Sequence, residues 1–406
     1  MYITRHIEAA LNERAKEKGA IVITGARQVG KTTLIENVVP EIGQITLDDI
    51  DARNRATEEP SAFIQLNPPP IFIDEVQYAP DIFSYIKINL DRSKKKGQYY
   101  LTGLQSFELM KNVTESLAGR AAILELYGLS LREIREELWN TPFLPTLDYL
   151  LERKSAKREL GISEVWQMIH RGSLPELVVN SRYNWRNFYA DYVKTYIERD
   201  VRRLTQVANE ADFMKFMTTC AAITGSLLNL ASIARNIGIS EPTARRWLSI
   251  LQSSGIVYLL KPYFNNRIKR AVKTPKLYFL DTGLAAYLTR WLTPETLSAG
   301  AVSGAFFESF VISEILKSYS NAGLEEGFYF IRDSNGREID LLIFQNNTIF
   351  PIEIKQTTSP TNKAIQSFSL LENLKDVKIG DGGVICLAGE ILPLRDNFKI
   401  IPLWAV

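Results

Sequence analysis

The sequence predicts an α/β protein built on a parallel sheet, and three stretches carry that prediction. Ala20-Ile21-Val22-Ile23 is a buried-strand run that feeds the turn Gly25-Ala26-Arg27-Gln28-Val29-Gly30 and then, at Lys31-Thr32, a helix. Ile71-Phe72-Ile73 is a second apolar strand, entered from Pro68-Pro69-Pro70 and ending in Asp74-Glu75. Far downstream, Arg337–Ile343 and Ile349–Lys355 read as paired strands of another sheet. The changes of pattern between them divide the chain into units at 1–135, 136–215, 216–295 and 296–406.

The first stretch reads GxxxxGKT. Glycines let successive backbone N–H groups turn toward phosphate oxygens, and the new helix adds its positive end. Gly25, Arg27, Gln28, Val29, Gly30 and Lys31 then line the phosphates of ATP, with Lys31 on the β- and γ-phosphates. The Thr32 hydroxyl ligates Mg²⁺, and Thr33 follows in the same helical turn. In an open parallel sheet ligands gather at the carboxyl ends of the strands, so Asp74 and Glu75 emerge beside the phosphates. Asp74 joins the Mg²⁺ shell and Glu75 serves as general base toward the attacking water.

A third strand, Gln98 to Gly103, ends in polar residues where a γ-phosphate sensor belongs, with Thr102 and Gln105 as candidates. The small-residue turn Ser116-Leu117-Ala118-Gly119 presents Arg120, either as an arginine finger in cis or in trans, or as a surface ion pair.

The segments GARQVGKT (25–32), FIDEVQ (72–77), LTG (101–103) and SLAGR (116–120), in that order, resemble bacterial and archaeal AAA-type ATPases that carry a C-terminal nuclease-like domain. The resemblance continues through TYIERDVR (195–202) and KLYFLDTGL (276–284) and spans nearly the whole chain. It implies a P-loop AAA-type parallel sheet with a helical lid, a winged helix and a C-terminal α/β nuclease-like domain. Leu104 stands where the resemblance leads one to expect a small polar residue, which leaves Gln105 the better sensor candidate.

Composition sets the class. A chain of 406 residues with 46% apolar content has ample material for several cores. Cys220 and Cys386 are far apart, so neither a disulfide framework nor a zinc cluster is readable. With only His6 and His170, histidine-based metal or triad chemistry is disfavoured. No apolar run approaches the roughly 20 residues of a membrane span, and no signal-peptide core is seen, so the expectation is a cytoplasmic protein without membrane contact. A net charge of +2 means that nucleic-acid binding must rest on local patches.

Past residue 135 helices take over. Thr146–Arg158, Glu164–His170 and Trp185–Thr205 form the expected lid, and Arg199, Arg202 and Arg203 on the last are candidates for a second sensor beside Glu198 and Asp200. Leu230–Ile237, the turn Gly238-Ile239, and a helix capped by Ser240 with Pro242 in its first turn have helix-turn-helix spacing. Gly255-Ile256-Val257-Tyr258 then starts a strand, as in a winged helix. Arg245 and Arg246 lie near the start of the recognition helix, and Lys261 to Lys276 holds six basic residues and no acid, among them Arg267, Lys269, Arg270 and Lys273. The expected partner is double-stranded DNA; the alternative is a winged helix that only packs.

In the last unit Glu308 sits among aromatics on a helix. If Asn346-Asn347 is a two-residue hairpin turn, facing residue numbers sum to 693, so Asp340 faces Glu353 and Glu338 faces Lys355. Pro351 marks an edge or bulge position that shifts this register by one if a bulge is present. Facing carboxylates repel unless a cation lies between them. Mg²⁺ held by Asp340 and Glu353, with Lys355 handling water and Glu308 completing the cluster, resembles the PD-(D/E)xK nuclease arrangement, without its Pro before the Asp. The bland alternative is a Glu338–Lys355 ion pair on a solvated sheet.

The expected function is Mg²⁺-dependent ATP hydrolysis that moves the lid and winged helix and so controls DNA binding or processing. Two other readings stay open: an ATP-driven switch or scaffold for a protein partner, or for further copies of the chain, with an inactive nuclease-like domain; and a module that holds nucleotide as a structural cofactor.

Overall fold

Five parallel strands form the N-terminal sheet of the computed structural model, which describes residues 2–103, 113, 115–196, 210–263, 273–325, 327–372, 374 and 376–406. They are β1 (Ala20–Thr24), β2 (Gly43–Thr46), β3 (Ile71–Asp74), β4 (Tyr99–Thr102) and β5 (Ala121–Glu125), in the order β2-β3-β4-β1-β5. β1 is apolar along its length because both faces of a parallel sheet are covered by crossover helices. Ile21 and Ile23 pack with Ile7 and Leu11 of the helix Ile7–Glu17, whereas Ala20 and Val22 pack with Ile86 and Leu90 of the helix Ile82–Ser93. The order sets β4 between β1 and β3, so the end of β4 lies between the Gly-rich loop and the two carboxylates.

The middle of the chain is helical, as expected, through Leu147–Ser155, Ile162–Arg171, Trp185–Tyr196 and Glu210–Ala222. Thr146 caps the first of these by accepting the Tyr149 amide, so the helix begins one residue inside its expected start. The helices Leu230–Ile237 and Glu241–Ser253 follow, joined through Gly238 in the left-handed region (φ 85°) and capped by Ser240, which accepts Thr243 N–H at 3.2 Å. Three strands accompany them: β6 (Ser226–Leu227), β7 (Val257–Pro262) and β8 (Lys276–Phe279), with β8 antiparallel to both others.

The C-terminal unit opens with the helix Ser303–Asn321 and continues through β9 (Phe328–Arg332), β10 (Glu338–Gln345), β11 (Thr348–Lys355), β12 (Lys378–Ile379), β13 (Gly382–Cys386), β14 (Leu392–Arg395) and β15 (Phe398–Pro402). Asn346 and Asn347 both take positive φ (48° and 57°), the two-residue turn expected of them. β10 and β11 pair from Gln345↔Thr348 to Leu341↔Ile352, every pair summing to 693, so Pro351 does not shift the register.

β7 and β9 pair in parallel at Lys261↔Tyr329 and Pro262↔Phe330, which fuses the middle and C-terminal strands into one sheet ordered β14-β15-β13-β11-β10-β9-β7-β8-β6. The sheet therefore runs across the boundary expected at 295/296. Most of the helix Ser303–Asn321 is buried, polar residues included, because it is wedged between this sheet and the N-terminal domain. Among the described residues no helix is long and apolar enough to cross a membrane.

Candidate functional site

Each backbone feature of the Gly-rich loop has a local cause. Gly25 (φ 145°) passes so close to the Leu126 carbonyl that a Cβ there would lie 2.1 Å from its oxygen. Gln28 (φ 59°) and Gly30 (φ 92°) turn the chain left-handed, and Gly30 caps the helix Lys31–Val38. Lys31 is buried and donates its Nζ to Gly25 O at 3.0 Å and Ala26 O at 2.8 Å, inside the loop it is to serve. Thr33 is exposed one position beyond Thr32.

Asp74 ties the strands to the loop. Thr32 Oγ1 donates to its Oδ2 at 2.9 Å, Glu75 N–H donates to Oδ1 at 3.0 Å, and the buried Thr102 hydroxyl donates to the same Oδ1. Thr102 is thus a support for Asp74, and Gln105, the other sensor candidate, lies outside the described residues, as does Leu104. Glu75 is left-handed (φ 58°, ψ 43°) and accepts a bond from the Gln77 amide. Burial raises its pKa above the ordinary carboxylate value, against the opposing influence of Gln77, Lys31 and Arg27.

This donor set fits a nucleotide with Mg²⁺: a helix N-terminus carrying Lys31, and a hydroxyl sharing a hydrogen bond with a carboxylate at the end of a strand in the same sheet.

Arg5, which carries no sequence motif, braces this loop. Its guanidinium, 4% exposed, donates to Val29 O at 2.9 Å, Tyr127 O at 2.8 Å and Glu133 Oε1 at 3.1 Å. Because a trans peptide points its C=O and N–H in opposite directions, drawing the Val29 carbonyl to Arg5 turns Gly30 N–H the other way. Glu133 is buried, and burial pushes its pKa up. Arg5 and the amides of Ser130 and His6 outweigh that and hold it low. A signal for Glu133 did exist: Ser130-Leu131-Arg132-Glu133 is a capping box, and both of its bonds form.

Arg120 does not approach the phosphates of its own chain. It precedes β5, whose residues pair in parallel with β1 from Ala20↔Ala121, so it lies at the amino end of the sheet. There its NH2 donates to Asp91 Oδ2 at 3.0 Å, which is the surface ion pair and rules out the arginine finger in cis.

In the C-terminal unit the expected carboxylates do gather, but with lysines between them. Lys355 Nζ lies 3.1 Å from Asp340 Oδ2 and 2.7 Å from Glu353 Oε2. Lys276 Nζ, on β8, lies 2.6 Å from Glu308 Oε1 and 2.8 Å from Glu338 Oε1, and Tyr278 OH donates to Glu308 at 2.6 Å. The Glu338–Lys355 pair of the alternative reading does not form. The β10–β11 ladder ends at Leu341↔Ile352, and Glu338 instead faces Arg332 on β9, whose NH1 is 3.2 Å away.

Burial and the charge of Asp340 push both Glu308 and Glu353 above the ordinary carboxylate value, against the opposing pull of Lys276 on the first and Lys355 on the second. Asp340 is pushed up by burial too, yet Lys355 and Lys276 hold it below the ordinary value. Among the described residues no three or more Asp, Glu, His or Cys side chains are arranged to hold a metal ion. At Asp340 and Glu353, where Mg²⁺ was expected, the structure places the Lys355 ammonium against both carboxylates.

Of the basic residues, Arg245 is exposed and donates to Glu241 at 2.9 Å, while Arg246 and Lys273 are exposed. Arg267, Lys269 and Arg270, like Arg199, Arg202 and Arg203, lie outside the described residues. Lys276, counted with this basic run in the sequence, is 3% exposed and belongs to the carboxylate cluster.

Residues 17–135 match a family model described as AAA domain. Residues 162–295 and 303–406 match two described as domains of unknown function, DUF8612 and DUF4143. The uncharacterized proteins Rv2008c of Mycobacterium tuberculosis and Mb2031c of Mycobacterium bovis are each 28% identical over 407 residues, covering 99% of this chain and 84% of theirs.

Among solved structures, the replication initiator DnaA bound to AMPPCP and single-stranded DNA overlaps 61% of this chain and 86% of its own, at 14% identity and TM-score 0.29. A mutant form of RuvB from Thermotoga maritima overlaps 62% and 86%, at 15% identity and TM-score 0.29. The AAA-domain match falls on the residues that form the five-stranded parallel sheet and this loop, a fold that binds nucleotide.

Proposed function

We propose that this protein is a Mg²⁺-dependent ATPase whose nucleotide cycle governs DNA binding by a winged helix in its middle unit. The observation that carries the first half is the convergence of Thr32, Thr102 and the Glu75 amide on Asp74, beside a buried Lys31. The loop amides and Lys31 bind the phosphates, and Thr32 with Asp74 holds Mg²⁺. When bound, the ion neutralises charge that develops on the phosphate oxygens. Glu75 orients the attacking water and takes its proton, with Gln77 holding one carboxylate oxygen in place. Lys31→Ala should reduce steady-state phosphate release to background; a variant that still turns over ATP would refute the site assignment.

The DNA half rests on the helix Glu241–Ser253, which carries Arg245 and Arg246 on its exposed side and is followed by the β7–β8 hairpin. Reversing the charge of Arg245, Arg246 and Lys273 should weaken duplex binding at least tenfold and flatten its salt dependence. Unchanged affinity would favour the second reading, an ATP-driven switch for a protein partner. That reading has its own support, since lysines already pair with the carboxylates of the C-terminal unit. As an arginine finger, Arg120 acts only on a neighbouring copy of the chain.

A further inference from the structure

Four carboxylates meet in the C-terminal unit, and a nuclease-like fold would imply a divalent ion among them. The residues do not fit one. Mg²⁺ requires oxygen ligands at about 2.0–2.1 Å in near-octahedral array. The Lys276 ammonium is 2.6 Å from Glu308 Oε1 and 2.8 Å from Glu338 Oε1, so an ion bound to either oxygen would collide with it. Asp340 Oδ2 is taken as well, by Ile354 N–H at 2.9 Å and by Lys355. The space is built for positive charge, and most of that charge is supplied by the chain itself.

We propose that Lys276 is a built-in cation that takes the place of a metal ion between Glu308 and Glu338, and that the C-terminal unit holds no divalent ion while β8 is seated. The source of this charge is not the C-terminal unit. Lys276 opens β8, which pairs with β7 and β6 of the middle unit, and it reaches across to a glutamate on the helix Ser303–Asn321 and another on β10. Its ammonium lies over the rings of Tyr278 and Phe330, with centroids 5.7 and 5.9 Å from Nζ. The ammonium that neutralises these carboxylates is thus carried by a strand of the middle unit, paired to β7, and not by the elements that carry the carboxylates. Lys276 therefore ties β8 to the helix Ser303–Asn321 and to β10, and its removal would leave Glu308 and Glu338 facing each other without that charge, a latent metal site rather than a standing one.

Mn²⁺ binding, followed by electron paramagnetic resonance on the full chain without nucleotide, tests this. The comparison is between wild type, Asp340→Asn, Lys276→Met (which keeps the stem and removes the charge), and the double variant. Wild type should hold no Mn²⁺ that Asp340→Asn removes. Lys276→Met should gain one Mn²⁺ bound at least tenfold more tightly than any site in wild type, and the double variant should lose it. A Mn²⁺ in wild type that disappears on Asp340→Asn overturns the proposal, as does a folded Lys276→Met protein that gains none. Should Lys276→Met not fold, the wild-type and Asp340→Asn pair decides alone. ATP hydrolysis, measured beside it, reports on the N-terminal site and is independent of this outcome.

Discussion

Thr102 offers the sharpest test of how the nucleotide site is held together, because Thr102→Val removes a hydroxyl and leaves the shape. The side chain is fully buried at the end of β4, and its hydroxyl donates to Asp74 Oδ1, which among the described residues otherwise accepts the Glu75 amide at 3.0 Å. A hydrogen bond to a charged group contributes about 1.5–3 kcal/mol. Since about 1.4 kcal/mol is a factor of ten, whatever depends on the posture of Asp74 should weaken roughly 10- to 100-fold. On the proposed reading that dependence lies with Mg²⁺, through the Thr32–Asp74 bond, and not with the γ-phosphate. The assay is a Mg²⁺ titration of ATP hydrolysis at saturating nucleotide. Half-saturation should move upward by at least tenfold in Thr102→Val and return in Thr102→Ser, while nucleotide affinity in EDTA stays unchanged. A lowered turnover with an unmoved Mg²⁺ curve would refute the reasoning and restore Thr102 as a γ-phosphate sensor.

Other consequences can be checked beside it. Arg5→Ala leaves Glu133 buried without its partner and frees the Val29 carbonyl; it should cost about 3–5 kcal/mol by chemical denaturation, and Arg5→Met combined with Glu133→Gln should recover part of that. Glu133 also predicts a pH effect. Its folded pKa lies below the ordinary 4.5, so its contribution is present above pH 4.5 and is lost as pH falls through the depressed value; the stability gap between wild type and Glu133→Gln should therefore narrow on acidification and stay constant above about pH 6. Gly255→Ala places a Cβ at a left-handed position (φ 67°), 3.1 Å from Ala26 N, and should cost about 1–2 kcal/mol while raising the KM for ATP, a combination that a loss of stability alone would not give.

What the sequence revealed follows a physical line. The Gly-rich loop and the strand-end carboxylates are local patterns, legible because a few consecutive residues set both backbone and chemistry. The 693 register was legible for the same reason, since a two-residue turn at Asn346-Asn347 dictates the pairing beside it. Extrapolated to Glu338 and Lys355 it failed, because the ladder had ended and β10 is irregular against β9 between Ile339 and Leu342. Arg5 could not be read, its partner Glu133 being 128 residues away. Lys276 was misread for a different reason: β8 is buried on both faces, so the alternation that separates core from surface is absent from Lys276-Leu277-Tyr278-Phe279. Arg120 could have been placed better from sequence alone, since a residue that precedes a parallel strand falls at the end away from the phosphates.

These contacts also decide which unit is positioned to feel the nucleotide. The C-terminal unit is fixed to the N-terminal domain and the segment after it by buried polar bonds along the helix Ser303–Asn321. Glu314 accepts Leu131 N–H at 2.6 Å, Lys317 donates to Leu129 O at 3.0 Å, and Ser318 accepts Phe143 N–H at 3.0 Å. Opening that joint would strand several buried polar groups, each costing about 1–3 kcal/mol, so it should stay closed through the cycle. The middle unit meets the phosphate loop differently. There Gly255, at the turn into β7, comes so near Ala26 that a Cβ added to it would lie 3.1 Å from Ala26 N. If nucleotide binding shifts the loop, this close approach would carry the shift to β7, the strand that pairs with β8. The route from nucleotide to hairpin is therefore short: Ala26 to Gly255, along β7, across to β8 and Lys276. If that route operates, ATP should change the exchange protection of the β8 amides, and Gly255→Ala should alter that response more than it alters protection in the helix Ser303–Asn321.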